Sequence, residues 1–350
     1  MAHNFAEVLR HHEKSVILAV GSRSRDAAQT FAKKYHIPLS CSAYKDVANN
    51  GDIDAIFIAT PPALHKENSI ICLRAGKAVL CEKPFTLTAS EAKEVILEAR
   101  RQKRFCMEAM WTRFVPIIRK IKKMLDEGAI GETVGMFADF GIRLDPLKED
   151  YRWDSVRGGG VLLDLGVYPV SLAHYFFGKP ERISSYGMIG SRGVDEQVSA
   201  IFGYPGGIQA TLFSSFKTDS PQEIVILGTR GMIRTRSPIY CPLQAELLLT
   251  KNPDVYPKID YNSWKERLKG HPFCRKALLS AKKILPFLTN EHSFEITAPF
   301  AGDGHIYEIE EVERCIRDGK TESDIMPLDE TLRVMESLDV IRGQWGTRIL

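Results

Sequence analysis

Four stretches of this sequence end an apolar run with groups able to bind anions or handle protons. Val20 is followed by Gly21, Ser22 and Arg23, and Ala59 by Thr60, Pro61 and Pro62. Cys81 is followed by Glu82, Lys83 and Pro84, and Met107 by Glu108. If these runs are strands of one parallel sheet, their ends share its carboxyl edge, where open α/β sheets bind ligands. Each residue alone also reads as part of a solvated loop; together they point to a nucleotide cleft. Arg23 is the most specific. An acid at this place accepts from a ribose 2′-hydroxyl, whereas a cation suits a 2′-phosphate. Ser22 adds a hydroxyl and Arg25 a second cation. NADP is therefore expected over NAD, with a surface arginine as the alternative.

A second constellation runs from Gly158-Gly159-Gly160 through Asp164 to Tyr168-Pro169. Asp164 and Tyr168 are four apart and share a face if the segment is helical. Pro169 has no N–H for the Leu165 carbonyl, so the helix is kinked there or starts late. Three glycines allow backbone to approach a ligand closely. The alternative is a core tyrosine with a bonded hydroxyl.

The elements that must position these groups follow from periodicity. Short apolar runs over 16–20, 55–59, 78–81 and 105–107 alternate with helical spacing over 26–35, 64–75 and 88–101. The last helix opens Thr88-Ala-Ser-Glu91, a capping-box pattern. Such alternation predicts βαβ units and a buried parallel sheet. Beyond residue 130 strands are predicted over 133–142, 182–188, 197–204, 208–216, 223–227 and 245–250, as an antiparallel sheet. Tyr204-Pro205-Gly206-Gly207 and Gly228-Thr229-Arg230-Gly231 mark turns between neighbours. Helices return over 306–317 and 328–341. The expected architecture is an α/β Rossmann-type parallel-sheet domain over 1–110, then an α+β domain with a large, mainly antiparallel sheet over 111–350. Residues 252–298, broken by four prolines, fit neither pattern and are read as an insertion between the last sheet strand and the C-terminal helices.

Composition bounds the function. The chain has 350 residues, 44% apolar and 26% charged, which suits two soluble domains rather than disorder or a coiled coil. No run of about 18 uncharged apolar residues predicts a membrane span. The net charge of +3 is no footprint for nucleic acid. Between Asn262 and Leu285 seven Lys and Arg face Glu266 alone, interleaved with Trp264, Leu268, Phe273 and Leu278. This segment makes the protein basic. It reads as a packed basic helix or as an interfacial segment, and membrane contact through it is not expected. Seven cysteines with no two or three-residue spacing predict free thiols in a reducing cytosol. Nine histidines without HExxH predict no metal. Residues 2–9 read as a helix, with no secretory leader.

Glu82-Lys83-Pro84 followed by a capped helix, then Gly159-Gly160-x-Leu162-x-Asp164-x-Gly166-x-Tyr168, resembles the glucose–fructose oxidoreductase and inositol dehydrogenase (Gfo/Idh/MocA) family. Met107-Glu108-Ala109-Met110-Trp111-Thr112-Arg113-Phe114 is similar to the branch holding dimeric dihydrodiol dehydrogenase and NADP-dependent D-xylose dehydrogenase. Gly302-x-Gly304-x-x-Tyr307-Glu308 and Pro327-Leu328-x-Glu330-Thr331 resemble its C-terminal part. The likeness covers nearly the whole chain outside 252–298. It implies hydride transfer between NADP and a CH–OH group of a sugar, polyol or dihydrodiol, in a homodimer. Lys83 would sit beside the reacting oxygen, Tyr168 would be general acid or base, and Asp164 would orient substrate hydroxyls. A tyrosine has a pKa of about 10, and a nearby cation would favour the phenolate. Trp111 and Arg113 would wall the substrate side. Ser22, Arg23, Arg25, Thr60, Pro61, His65, Glu82 and Lys83 would meet the cofactor.

One departure stands out. The family begins with a strand and a Gly-x-Gly-x-x-Gly/Ala turn that grips the pyrophosphate. Here those would lie before Met1, implying a fragment, a misassigned start or a lost cofactor grip. The last case favours a non-catalytic ligand- or partner-binding protein.

Overall fold

The computed structural model describes residues 1–12, 14–147, 150–250, 291–300, 302 and 304–345. Helix α1 (Ala2–Arg10) precedes strand β1 (Ala19–Gly21). Ser24 then caps α2 (Arg25–Tyr35), its Oγ accepting from Ala27 N, as an N-cap serine does. Strand β2 (Leu39–Cys41) pairs parallel with β1, and α3 (Tyr44–Ala48) leads away from it. The apolar run predicted from residue 16 thus becomes a ladder only at Ala19. Strand β2 escaped the sequence reading because it is three residues long, follows Pro38 and is largely exposed.

Strands β3 (Ala55–Ile58), β4 (Ala78–Glu82) and β5 (Cys106–Ala109) form a second parallel sheet, joined by α4 (His65–Arg74) and α5 (Ala89–Gln102). Thr88 accepts from Glu91 N at 3.2 Å, as the capping pattern predicts. Glu91 reaches one residue further back than expected, to Leu87 N at 3.0 Å. Strand β4 is buried at every position, the mark of a central parallel strand. The pair β1-β2 and the triplet β3-β4-β5 are separate sheets. The pair has its own small core of Ala6, Ala32, Tyr35 and Ile37, apart from the main cluster.

After α6 (Pro116–Asp126) comes β6 (Thr133–Gly141), then a π-helical turn at Leu162–Gly166 that runs into α7 (Val167–Phe177). Seven strands follow: β7 (Arg182–Ile189), β8 (Asp195–Gly203), β9 (Gln209–Ser215), β10 (Ile224–Gly228), β11 (Gly231–Thr235), β12 (Gln244–Thr250) and β13 (Glu291–Thr297). With β6 they make one eight-stranded sheet, ordered β13-β12-β11-β10-β6-β9-β8-β7. Its β6–β9 pair is parallel and the rest antiparallel, so the sheet is mixed. Both turn signals join neighbouring strands.

The boundary drawn at 298 is corrected. Residues 291–297 complete a seven-residue antiparallel ladder with β12, from Thr250↔Glu291 to Gln244↔Thr297. The insertion therefore interrupts a hairpin inside the sheet. The basic run at 262–285 lies outside the described residues.

Helices α8 (His305–Arg317) and α9 (Leu328–Gly343) close the chain. Although α9 follows the second domain, it packs on α5 as well as on α7. Asp339 accepts from Ala89 N at 2.8 Å, at the start of α5. The stretch from Ser155 to Phe177 is long and apolar enough to cross a membrane, but 89% of its most apolar window is buried. It is the core helix of the second domain.

Candidate active site

The turn after β4 and the π-helical turn before α7 meet at one ion pair. Lys83 Nζ donates to Asp164 Oδ1 at 3.0 Å and to the Asp164 carbonyl at 2.7 Å. The second bond follows from local chemistry. A π register looks for a donor five residues ahead, and for Asp164 that residue is Pro169, which has no N–H. The freed carbonyl is where the ammonium docks. The same nitrogen lies 4.9 Å from the Tyr168 ring centroid. Trp111 Nε1 donates to the Tyr168 hydroxyl at 3.2 Å. Lys83, Asp164, Tyr168 and Trp111 are thus brought together as their types suggested; of the kink or late start expected of the helix, the structure has the late start, a π turn preceding the regular helix at Val167.

The electrostatics correct one expectation. Burial works against the charge on Lys83, but Asp164 and Tyr168 outweigh it and its pKa is raised. The Tyr168 hydroxyl is pushed up to about 12 by burial, which outweighs the opposing pull of Lys83. Lys83 limits the rise and does not produce a phenolate near neutrality. Glu82, 4% exposed, is pushed up to about 7 by burial against the pull of Lys83. Its Oε2 accepts from Lys83 N at 3.0 Å, so it braces the turn from inside.

Aromatic groups enclose the tyrosine. Phe140 meets it edge-on at 5.3 Å, and Tyr240 stands 6.3 Å away. Trp111 is stacked on His305 at 4.1 Å, and a Cβ on Gly304 would come within 2.6 Å of the indole. Its face is therefore covered, and it enters the site through its N–H. Phe140, Tyr240 and His305 were missed by sequence reasoning. Only the glycines before His305 gave a signal.

Arg113 is not on the substrate wall. It is 1% exposed and donates to Ser171 Oγ at 2.8 Å, to Ser171 O at 2.7 Å and to Glu330 at 3.3 Å. It ties α7 to α9. His65 is likewise internal, with its ring nitrogens 2.8 Å from the Thr60 and Pro84 carbonyls. Burial lowers its pKa, so the neutral ring donates to one carbonyl at a time. It staples the ends of β3 and β4 without facing the cavity.

The glycine triplet approaches protein, not ligand. A Cβ on Gly158 would come 2.5 Å from Leu87 and 2.9 Å from Pro62, across the domain boundary. Gly160, at φ 118°, faces Asp195, whose Oδ2 accepts from Leu162 N at 2.6 Å and caps the π turn.

Ser22, Arg23, Thr60 and Pro61 line a cavity of about 860 Å³. Lys14, Arg157 and Arg317 also line it. Arg25, His65, Glu82 and Lys83, also expected to meet the cofactor, do not line it. Cations and hydroxyls at two strand ends fit the phosphates of a dinucleotide. Arg157 was also missed, though it immediately precedes the glycine triplet. Among the described residues no group of three metal-binding side chains converges.

Comparison with known proteins supplies the family. Residues 1–110 match the model of the oxidoreductase family with an NAD-binding Rossmann fold, and residues 118–234 that of the GFO/IDH/MocA C-terminal domain. The chain belongs to the Gfo/Idh/MocA oxidoreductase family. Mouse trans-1,2-dihydrobenzene-1,2-diol dehydrogenase is 32% identical over 350 residues, covering 99% of this chain and 94% of the relative. The human enzyme of that name is 31% identical, covering 94% and 89%. The Gfo/Idh/MocA fold recurs in a 3-ketoreductase from Actinomadura kijaniata, solved with NADP and TDP-benzene. Its TM-score is 0.78 at 23% identity, covering 97% of this chain and 93% of that one. Levoglucosan dehydrogenase, solved with NADH and levoglucosan, gives 0.77 at 20%, covering 98% and 93%.

Proposed function

We propose that this chain is an NADP-dependent dehydrogenase acting on a CH–OH group of a sugar, polyol or trans-dihydrodiol. The observation that carries this reading is the buried Lys83–Asp164–Tyr168 cluster. When bound, the nicotinamide supplies the hydride donor or acceptor. The protonated Tyr168 hydroxyl donates to the substrate oxygen, so it is ready as general acid for carbonyl reduction. In the oxidation direction it must first be the phenolate, whose charge the Lys83 ammonium offsets, and it becomes neutral again on accepting the proton of the substrate hydroxyl. Asp164, already paired through Oδ1, has a second carboxylate oxygen to orient a hydroxyl. Arg23 beside Ser22 on the cavity wall supports NADP over NAD. The names of the mammalian relatives support a cyclic diol among the substrates.

Homodimerisation through the outer face of the large sheet belongs to the same reading. Phe137 and Ile201 are exposed there, in one cross-strand row with Thr211 between them. Exposed apolar residues in such a row suit a second sheet face.

A second reading, a family member without catalysis, is favoured by the split between the β1-β2 and β3-β4-β5 sheets. Two measurements decide. NADPH fluorescence should respond to the protein at micromolar concentrations, and a panel of aldoses, polyols and trans-dihydrodiols should show turnover with NADP above that with NAD. Absence of both responses would leave only the binding role.

A further inference from the structure

The Tyr168 hydroxyl carries one proton to give and has lone pairs to accept. Among the described residues it makes one hydrogen bond, accepting from Trp111 Nε1 at 3.2 Å. An indole nitrogen donates and does not accept, so this bond cannot use up the hydroxyl proton. That proton is left for the substrate oxygen. Lys83 does not compete for the hydroxyl. Its ammonium is engaged by the Asp164 carboxylate and carbonyl and stands 4.9 Å from the ring centroid, so it acts on the tyrosine through its charge. Trp111 makes the direct contact.

The donor is held from several sides. Trp111 opens a single turn, Trp111–Phe114, soon after β5. Thr112 Oγ1 donates to Tyr240 O at 2.8 Å, and Arg113 is tied to Ser171. The buried indole lies within 12° of parallel to the His305 ring, with the Tyr240 ring 5.6 Å away. The N–H is therefore already in place when charge appears on the tyrosine, and needs no reorganisation. A hydrogen bond to an ionised oxygen is about twice as strong as one to a neutral oxygen. This one thus favours the phenolate over the phenol. The other influences on Tyr168 are mixed: burial weighs most against the phenolate, Lys83 favours it, and Glu82 and Asp164 oppose it.

We infer that Trp111 is a positioning residue for the reaction: its N–H aims the Tyr168 proton at the substrate oxygen and steadies the phenolate from which oxidation starts. The inference rests on the dehydrogenase reading and gives Trp111 a part other than walling the substrate.

Two replacements keep an aromatic ring against His305 and lose the donor. One is Trp111→Phe. The other places β-(3-benzothienyl)alanine at 111, where sulfur stands for the N–H. It keeps the shape of the indole and decides the matter if Trp111→Phe does not fold. Either should lower the oxidation kcat about tenfold at fixed pH on the ascending limb, and move that limb upward. KM should change less than about twofold. An unmoved limb, or a raised KM with kcat unaltered, would overturn the inference. A second readout needs no turnover. The Trp111 indole N–H resonance of the 15N-labelled chain, identified by its absence from the replacements, should move upfield in Tyr168→Phe, where its acceptor is gone. An unmoved resonance would overturn the inference and leave the dehydrogenase reading standing. Failure of the unaltered chain to turn over any sugar, polyol or dihydrodiol would remove that reading, and the inference with it.

Discussion

Tyr168 keeps its proton at neutral pH because burial outweighs the ammonium 4.9 Å from its ring. The direction of reaction therefore decides how much Lys83 matters. Tyr168→Phe should lower turnover about a hundredfold or more both ways, the range of general acid–base effects. Lys83→Met should cost as much in the oxidation direction and move the ascending limb of its pH profile upward, because the phenolate loses its counter-charge. Steady-state kinetics in both directions checks this, and near-normal turnover of either variant would remove that residue from the mechanism. Arg113 should behave differently. Arg113→Ala strips Ser171 and Glu330 of a buried guanidinium, leaving Glu330 only its 3.7 Å contact to Arg333, and should lose about 3 kcal/mol of stability, read by urea denaturation. An unaltered midpoint would return Arg113 to the substrate wall. Lys83, Asp164 and Tyr168 were legible because their types, spacing and surrounding motif agree. Arg113 was not, because residue type cannot separate an arginine facing a ligand from one buried. Its partners Ser171 and Glu330 are distant in sequence.

At the scale of elements, the π turn does what a regular helix could not. It presents the Asp164 carbonyl and carboxylate to one ammonium, and it depends on Gly160 and Asp195. A Cβ on Gly160 would meet Asp195 Oδ1 at 2.1 Å, on a backbone at φ 118° that side chains rarely adopt. Gly160→Ala should cost about 1–3 kcal/mol from backbone strain alone. It should also lower kcat while Tyr168 is intact, as the turn shifts under Lys83. A thermal melt beside a kcat measurement checks both. Long strands such as β6 and β8 were read nearly to their ends, because alternation over seven or more residues is a strong signal. Strand β11 lay hidden behind a turn signal, and β13 inside an assumed insertion. Pairing partners decide such short strands, and partners are a property of the fold.

The whole molecule carries buried acid at its centre. Glu82 and Glu108 are pushed up to about 7 and Asp195 to about 6, each chiefly by burial. Unfolded carboxyls titrate near 4. The native state thus holds extra protons between about pH 4 and 7. That contribution to stability is complete below the unfolded value and is lost as pH rises through 6–7. His174, lowered to about 3 chiefly by burial, works oppositely, costing stability as pH falls below its unfolded value near 6.5. Comparing wild type with Glu108→Gln isolates the carboxyl. The variant should gain relative stability from pH 5 to pH 8, on the order of 2 kcal/mol. A constant difference across that range would show that Glu108 titrates normally. Dimerisation belongs to the same scale. Phe137→Asp should halve the mass seen by light scattering if the outer sheet face is the contact.

The ladder between β12 and β13 holds Thr250 and Glu291 as cross-strand partners, at the spacing a tight turn spans. Replacing residues 251–290 by Asn-Gly should close the hairpin with its register kept. The same two ends can then carry foreign cargo whose termini lie close together, such as a fluorescent reporter. The outer hairpin of the sheet becomes a grafting port, distant in sequence from Lys83, Asp164 and Tyr168.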